Sequence, residues 1–268
     1  MKLAYSDTRH APILVLLHGF PLSREMWVEQ LASIGSLYRV IAPDLRGHGQ
    51  SESPSDAYTM DEMADDVVEL LDRLEIKQPI VLGGLSMGGY VALSLALRYP
   101  QRVRGLILCD TRAAADTPEA AKGREDTARN VLREGSGRGM IETMVPRLFG
   151  KTTREKHPQR VEAMLAVMER MSPQGIAGAL RGMAIRTDRR GDLKRITVPT
   201  LVLVGEDDVI SPPAEARELA ASIPHARLEI IPAAGHLAPY ENPSAANDAI
   251  VRFLHHLDRP AAPLRARS

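Results

Sequence analysis

Short β-rich runs alternate with longer amphipathic stretches along most of this chain. Ile13–Leu17, Arg39–Ala42, Ile80–Leu82, Val103–Leu108, Thr200–Val204 and Leu228–Ile231 show little polar alternation. Such runs mark strands buried on both faces of a sheet. Residues 1–11 offer at most one further short strand, Leu3–Tyr5. Helices are expected between the runs, at Glu25–Ile34, Ala214–Ser222 and Ser244–Leu257. Thr59 can cap another, with Glu62 as its box partner and Met63, Val67, Leu70, Leu71 and Leu74 as its apolar stripe. Met87–Tyr99 is apolar nearly all round, so it predicts a deeply buried helix. This alternation argues an α/β fold, a mostly parallel sheet with helices on both faces.

The rhythm breaks after Asp110. From Thr111 to about Arg190 the pattern is helical, with no buried strand, and helices are expected near Glu119–Arg133, Gly137–Leu148, Thr153–Met171 and Pro173–Ile185. Met140, Met144, Met164, Met168, Met171 and Met183 fall here, and methionine fills irregular apolar space. Ordinary helical packing explains most of these positions. A helical insertion after a strand end also reads as a cap. The expected division is a core of 1–110 and 191–258, a helical cap of 111–190, and a Pro-, Ala- and Arg-rich disordered tail at 259–268.

Length and charge narrow the class. The 268 residues can form one large core. Acidic and basic residues balance at 34 each, so no net basic field points to nucleic acid. The one cysteine, Cys109, leaves no internal disulfide and reads as a buried small residue. The apolar run Pro12–Leu17 is too short to span a membrane, and no signal-peptide pattern opens the chain. The expectation is a cytoplasmic protein, monomer or homodimer, acting on a small molecule without nucleic acid or membrane partners.

The chemistry gathers around Gly84-Leu85-Ser86-Met87-Gly88, between a strand and a helix. A serine there is forced into a tight turn that holds its hydroxyl out at the sheet end, beside the positive end of a helix. The hydroxyl needs a base, and the base needs an orienting acid. Asp208 and His236 each follow a predicted strand, in the chain order that suits such an elbow. Asp207 and Asp110 compete with Asp208. His10, His157, His225, His255 and His256 read as surface residues, and His48 as structural. No histidine or cysteine spacing suggests a metal. An oxyanion needs two donors: the Met87 N–H, and the Phe20 N–H in the His18-Gly19-Phe20-Pro21 loop.

In chain order, His18-Gly19-Phe20-Pro21, Asp44-Leu45-Arg46-Gly47-His48-Gly49-Gln50-Ser51, the Ser86 elbow, Gly205-Glu206-Asp207-Asp208 and Gly235-His236 resemble the α/β-hydrolase superfamily from end to end. Within it the chain looks like small bacterial carboxylesterases and 3-oxoadipate enol-lactonases. That resemblance implies a helical cap over a Ser-His-Asp site and no cofactor. Dehalogenases and epoxide hydrolases of this fold carry aspartate where Ser86 stands, which argues against both. Carbon–carbon bond hydrolysis, a perhydrolase side activity and a non-catalytic receptor remain compatible with the serine. The reading is an esterase, with lactone hydrolysis as the alternative. Substrate would lie against Met140 and Met144. Arg112, where the insertion begins, either reaches a substrate carboxylate or pairs with Asp110 or an acidic residue of the insertion.

Overall fold

The computed structural model describes residues 1–53 and 56–258; the tail at 259–268, expected to be disordered, lies outside them. Its sheet has seven strands: β1 (Tyr5–Asp7), β2 (Ile13–Leu17), β3 (Arg39–Pro43), β4 (Ile80–Leu85), β5 (Val103–Cys109), β6 (Thr200–Gly205) and β7 (Ala226–Ile231). Their spatial order is β1-β3-β2-β4-β5-β6-β7, with β1 antiparallel to β3 and every other pair parallel. This is an α/β-hydrolase fold. The chain steps outward from β2 to β3, then crosses back over β2 to β4. The order therefore reverses between β2 and β4, and their following loops leave the sheet in opposite directions. Open α/β sheets hold ligands at such a point.

Strand alternation divides the core. Ile13, Val15 and Leu17 of β2 point into one apolar cluster, while Leu14 and Leu16 point into the other. Leu14 to Leu17 have no exposed surface, and each such burial contributes about 1.5–3 kcal/mol. The first cluster is covered by α2 (Met60–Arg73) and α3 (Met87–Arg98). The second takes Trp27 and, from the C-terminal helix Pro243–Asp258, Ile250 and Leu254. The capping box of α2 is formed: Glu62 N–H donates to Thr59 Oγ1 at 3.1 Å, and Thr59 N–H to Glu62 Oε2 at 2.9 Å.

Some elements differ from expectation. The first strand is Tyr5–Asp7 rather than Leu3–Tyr5, because the Arg39 guanidinium pairs with Asp7 and fixes the antiparallel register. The segment expected as one helix from Glu25 splits into a 3₁₀ turn (Arg24–Trp27) and α1 (Val28–Ser33). Between β5 and β6 lie α4 (Pro118–Glu134), α5 (Arg138–Leu148), α6 (Lys151–Lys156), α7 (Pro158–Glu169) and α8 (Pro173–Ala184). The single helix expected over Thr153–Met171 is broken at Pro158, which has no N–H to continue α6 and instead begins α7. The inserted helices are held to the sheet end at separate points. Tyr58 N–H donates to the Gly178 carbonyl at 3.0 Å, and His236 N–H donates to the Leu148 carbonyl at 2.8 Å. No helix among the described residues is long and apolar enough to cross a membrane.

Candidate active site

Ser86 follows β4 and caps α3 with φ 51° and ψ −111°. This backbone is costly for a residue with a side chain, so the surroundings must impose it. They do so through four hydrogen bonds. Ser86 N–H donates to the Cys109 carbonyl at 2.9 Å, and the Ser86 carbonyl accepts from Gly89 N–H, Tyr90 N–H and Thr111 Oγ1. The glycines are required by close approach. A Cβ on Gly88 would strike the Leu17 and His18 carbonyls, and one on Gly84 would strike the Gly88 backbone. The elbow and the loop after β2 thus pack backbone to backbone.

His236 follows β7 and is 3% exposed. Its Nε2 lies 2.9 Å from Ser86 Oγ, and its Nδ1 lies 2.9 Å from Asp208 Oδ2. Asp208 follows β6. Its Oδ1 accepts the N–H groups of Ile210 and Ser211, and its Oδ2 accepts the Ser211 hydroxyl as well as His236. Burial works against the charged Asp208 carboxylate, yet the hydrogen bond and charge of His236, with the Ser211 donors, hold it below the usual range. An acceptor-only carboxylate at Nδ1 fixes the proton there and turns the Nε2 lone pair toward the serine hydroxyl.

The competing aspartates are placed otherwise. Asp110 accepts the N–H groups of Gly205 at 2.8 Å and Ala238 at 3.1 Å, so it ties the turn bearing Asp208 to the loop bearing His236. Burial, and then the nearby charge of Asp208, pushes Asp110 well above the usual carboxylate range. Asp207 has its N–H on the Ala234 carbonyl, and its side chain faces Gly150.

Phe20 lies in the loop after β2, and Met87 directly follows the serine. Met87 opens α3, so its N–H has no partner within the helix. Among the described residues neither the Phe20 nor the Met87 N–H donates to a protein acceptor. The Phe20 loop reaches the serine: a Cβ on Gly19 would lie 3.6 Å from Ser86 Cβ. Beneath that loop, His18 Nε2 accepts the Leu45 N–H at 2.9 Å while Nδ1 meets the Gly19 carbonyl at 2.8 Å. The His18 and His48 rings lie 4.9 Å apart. Burial pushes His18 down to about 4 and His48 down to about 3, so both are neutral supports at pH 7.

Among the described residues Arg112 pairs with neither Asp110 nor an acidic residue of the inserted helices. Its Nε pairs with Glu215 of α9 (Pro213–Ser222) at 3.0 Å, and Nη2 donates to the Ile210 carbonyl. The acid comes from the core rather than from Asp110 or the inserted helices. Met140 and Met144 are partly buried and pack against both apolar clusters. Cys109 is buried at the end of β5.

Two residues of the site escaped sequence reasoning. Ser211 touches both Asp208 and His236, and its only signal was a serine three positions after an aspartate. Glu241 is 6% exposed in the short helix α10 (Ala238–Glu241). Its Oε1 accepts the N–H groups of Gly235 and Leu237, on both sides of His236, and its Oε2 accepts Gly150 N–H.

A reversing parallel sheet, a strained serine at the reversal and a histidine bridging it to a carboxylate together define the class of protein. The alpha/beta hydrolase fold family matches residues 12–243, and the chain belongs to that family, as a hydrolase. Among its relatives, 3-oxoadipate enol-lactonase 2 of Acinetobacter baylyi is 32% identical over 239 residues, spanning 89% of this chain and 87% of that protein. A thermophilic esterase from Thermogutta terrifontis superposes with a TM-score of 0.94 at 45% identity, covering 96% of this chain and 94% of the other. The enol-lactonase of Burkholderia xenovorans LB400 superposes with a TM-score of 0.87 at 32% identity, covering 94% and 96%.

Proposed function

We propose that the protein hydrolyses small carboxylic esters through an acyl-enzyme formed on Ser86. The observation that carries this reading is the unbroken relay from Ser86 Oγ to His236 to Asp208, with both links at 2.9 Å. Ser86 Oγ attacks the carbonyl carbon as its proton passes to His236 Nε2. The negative charge then moves to the carbonyl oxygen, where the Phe20 and Met87 N–H groups receive it. The tetrahedral intermediate collapses, the C–O bond to the alcohol breaks, and His236 returns the proton to the departing oxygen. Water, deprotonated by His236, releases the acid by the same two steps. Nucleophile, base, orienting acid and oxyanion donors all come from the chain, so the reaction so written draws on no cofactor. The helices of 111–190 serve as the cap, with Met140 and Met144 in its apolar wall.

The pairing of Arg112 bears on the substrate class. Its guanidinium is held by Glu215 and the Ile210 carbonyl, so binding a substrate carboxylate would require breaking that pair. Apolar walls also disfavour an unpaired carboxylate. Neutral short to medium esters are therefore the preferred substrates. Lactone hydrolysis is the second reading, favoured by the likeness to two enol-lactonases. It uses the same steps with the leaving alkoxide still tethered.

A panel of p-nitrophenyl esters beside neutral and carboxylate-bearing lactones tests both. Ser86→Ala should lower kcat by roughly 10⁵–10⁶ and abolish labelling by a sulfonyl fluoride, with the fold kept. Near-wild-type turnover by that variant ends the acyl-enzyme reading. Tight ligand binding without turnover in the wild type would instead mark a receptor.

A further inference from the structure

We propose that Ser211 is a fourth, positioning member of the Ser86–His236–Asp208 set. It fixes the Asp208 carboxylate and sets how firmly that carboxylate holds the imidazole proton. The inference rests on the acyl-enzyme reading and deepens it.

Ser211 is 3% exposed, so water does not compete for its hydroxyl. The hydroxyl donates to Asp208 Oδ2 at 2.7 Å, the same oxygen that His236 Nδ1 reaches at 2.9 Å. Its oxygen lies only 3.3 Å from Nδ1. Both groups are donors toward one acceptor, so the three atoms form a tight triangle in which Oδ2 is shared. The Ser211 and Ile210 N–H groups meanwhile hold Oδ1, which prevents rotation of the carboxylate. A donor on a carboxylate oxygen stabilises its charged form and withdraws negative charge from the next donor. With the hydroxyl present, Oδ2 therefore attracts the imidazolium less strongly. Without it, the protonated ring is held more firmly and neutral base is scarcer at mildly acidic pH.

Other charges face this cluster and stay constant in the comparison. Asp110 from the end of β5 and Glu241 from α10 lie on the buried side. Arg112, paired with Glu215 of α9, reaches the carbonyl before Ser211. Across the outer cleft, Lys151 and Arg154 of α6 face Glu206 and Asp207.

The test is the pH dependence of kcat/KM for p-nitrophenyl butyrate between pH 5 and 9, in wild type, Ser211→Ala and Ser211→Thr. In Ser211→Ala the acid limb should move to higher pH by about half a unit to one unit. Its plateau kcat should fall by about 3–10-fold with KM little changed. Ser211→Thr keeps a hydroxyl and should keep the wild-type limb. A loss of plateau rate with an unmoved limb in Ser211→Ala, or an equal shift in Ser211→Thr, overturns the proposal. Ser86→Ala, run alongside, separates the two levels. If it is inactive while the Ser211→Ala limb is unmoved, only the role of Ser211 fails. If it stays active, the acyl-enzyme reading fails and this one with it.

Discussion

Replacing Asp208 by Asn changes one atom, and the structure sets what that change does. The carboxylate is surrounded by donors alone: His236 Nδ1–H and the Ser211 hydroxyl at Oδ2, and two backbone N–H groups at Oδ1. An amide has one acceptor end and one donor end. If its oxygen faces His236, its NH₂ points at the N–H groups of Ile210 and Ser211 and leaves two buried donors unpaired. Each such orphan costs about 1–3 kcal/mol, so this orientation is disfavoured by about 2–6 kcal/mol in total. If the oxygen faces the backbone instead, the NH₂ meets Nδ1, and the imidazole must move its proton to Nε2. That nitrogen then points a hydrogen at Ser86 and is no longer a base. The cheaper orientation is the inactive one. We expect kcat for ester hydrolysis to fall by roughly 10⁴, with the pre-steady-state burst lost. Asp110→Asn is the control. Asp110 holds two backbone N–H groups and makes no bond to His236 among the described residues, so its replacement should act mainly on stability, by about 1–3 kcal/mol. Crippled turnover in Asp110→Asn beside a mild loss in Asp208→Asn would refute the assignment of the acid.

Further outcomes follow from neighbouring contacts. Arg112→Ala removes a half-exposed ion pair, so stability should change by no more than about 1 kcal/mol in thermal unfolding, and kcat/KM for neutral esters should change about threefold at most; a specific collapse of activity on carboxylate-bearing lactones would promote the lactonase reading. Glu241→Ala orphans three buried N–H groups, two of them flanking His236, and should lower stability by about 3 kcal/mol or more in denaturant unfolding; a loss under about 1 kcal/mol would show that water or backbone movement satisfies them.

The sheet was legible because strands buried on both faces need apolar residues at every position. Ile13–Leu17 therefore stands out as a run ending at His18-Gly19, and it forms a strand with those bounds. The elbow was legible for a related reason: the close contacts of Gly84 and Gly88 exclude any side chain, and that demand is written locally. The break at Pro158 was visible in composition, since Lys151–Lys156 before it carries no apolar residue that would extend the stripe of the helix that follows. What stayed hidden was choice among distant partners. Arg112 carries no local mark of Glu215, and Glu241 carries none of Gly150. Such pairs depend on how loops from different strands meet at one sheet edge. Ser211 lay in plain view, yet its meaning required knowing that the Asp208 carboxylate turns back over its own chain.

The same contacts bear on how the inserted helices relate to the chemistry. The histidine loop is joined to the α5–α6 connection by three means. His236 N–H donates to the Leu148 carbonyl, Glu241 bridges Gly150 to both neighbours of His236, and the two backbones cross with glycine on each side. A Cβ on Gly150 would lie 2.8 Å from the Gly235 nitrogen, and one on Gly235 would strike the Gly150 nitrogen in turn. Neither strand of this crossing can shift without the other, since each shift would strand a buried N–H or force backbone atoms into overlap. Displacing the α5–α6 connection therefore moves the base relative to Ser86, and near-angstrom misplacement of a base already costs large factors in rate. The imidazole is thus positioned from two sides. Asp208 and Ser211 hold its ring, while Glu241 and Leu148 hold its backbone to the inserted helices.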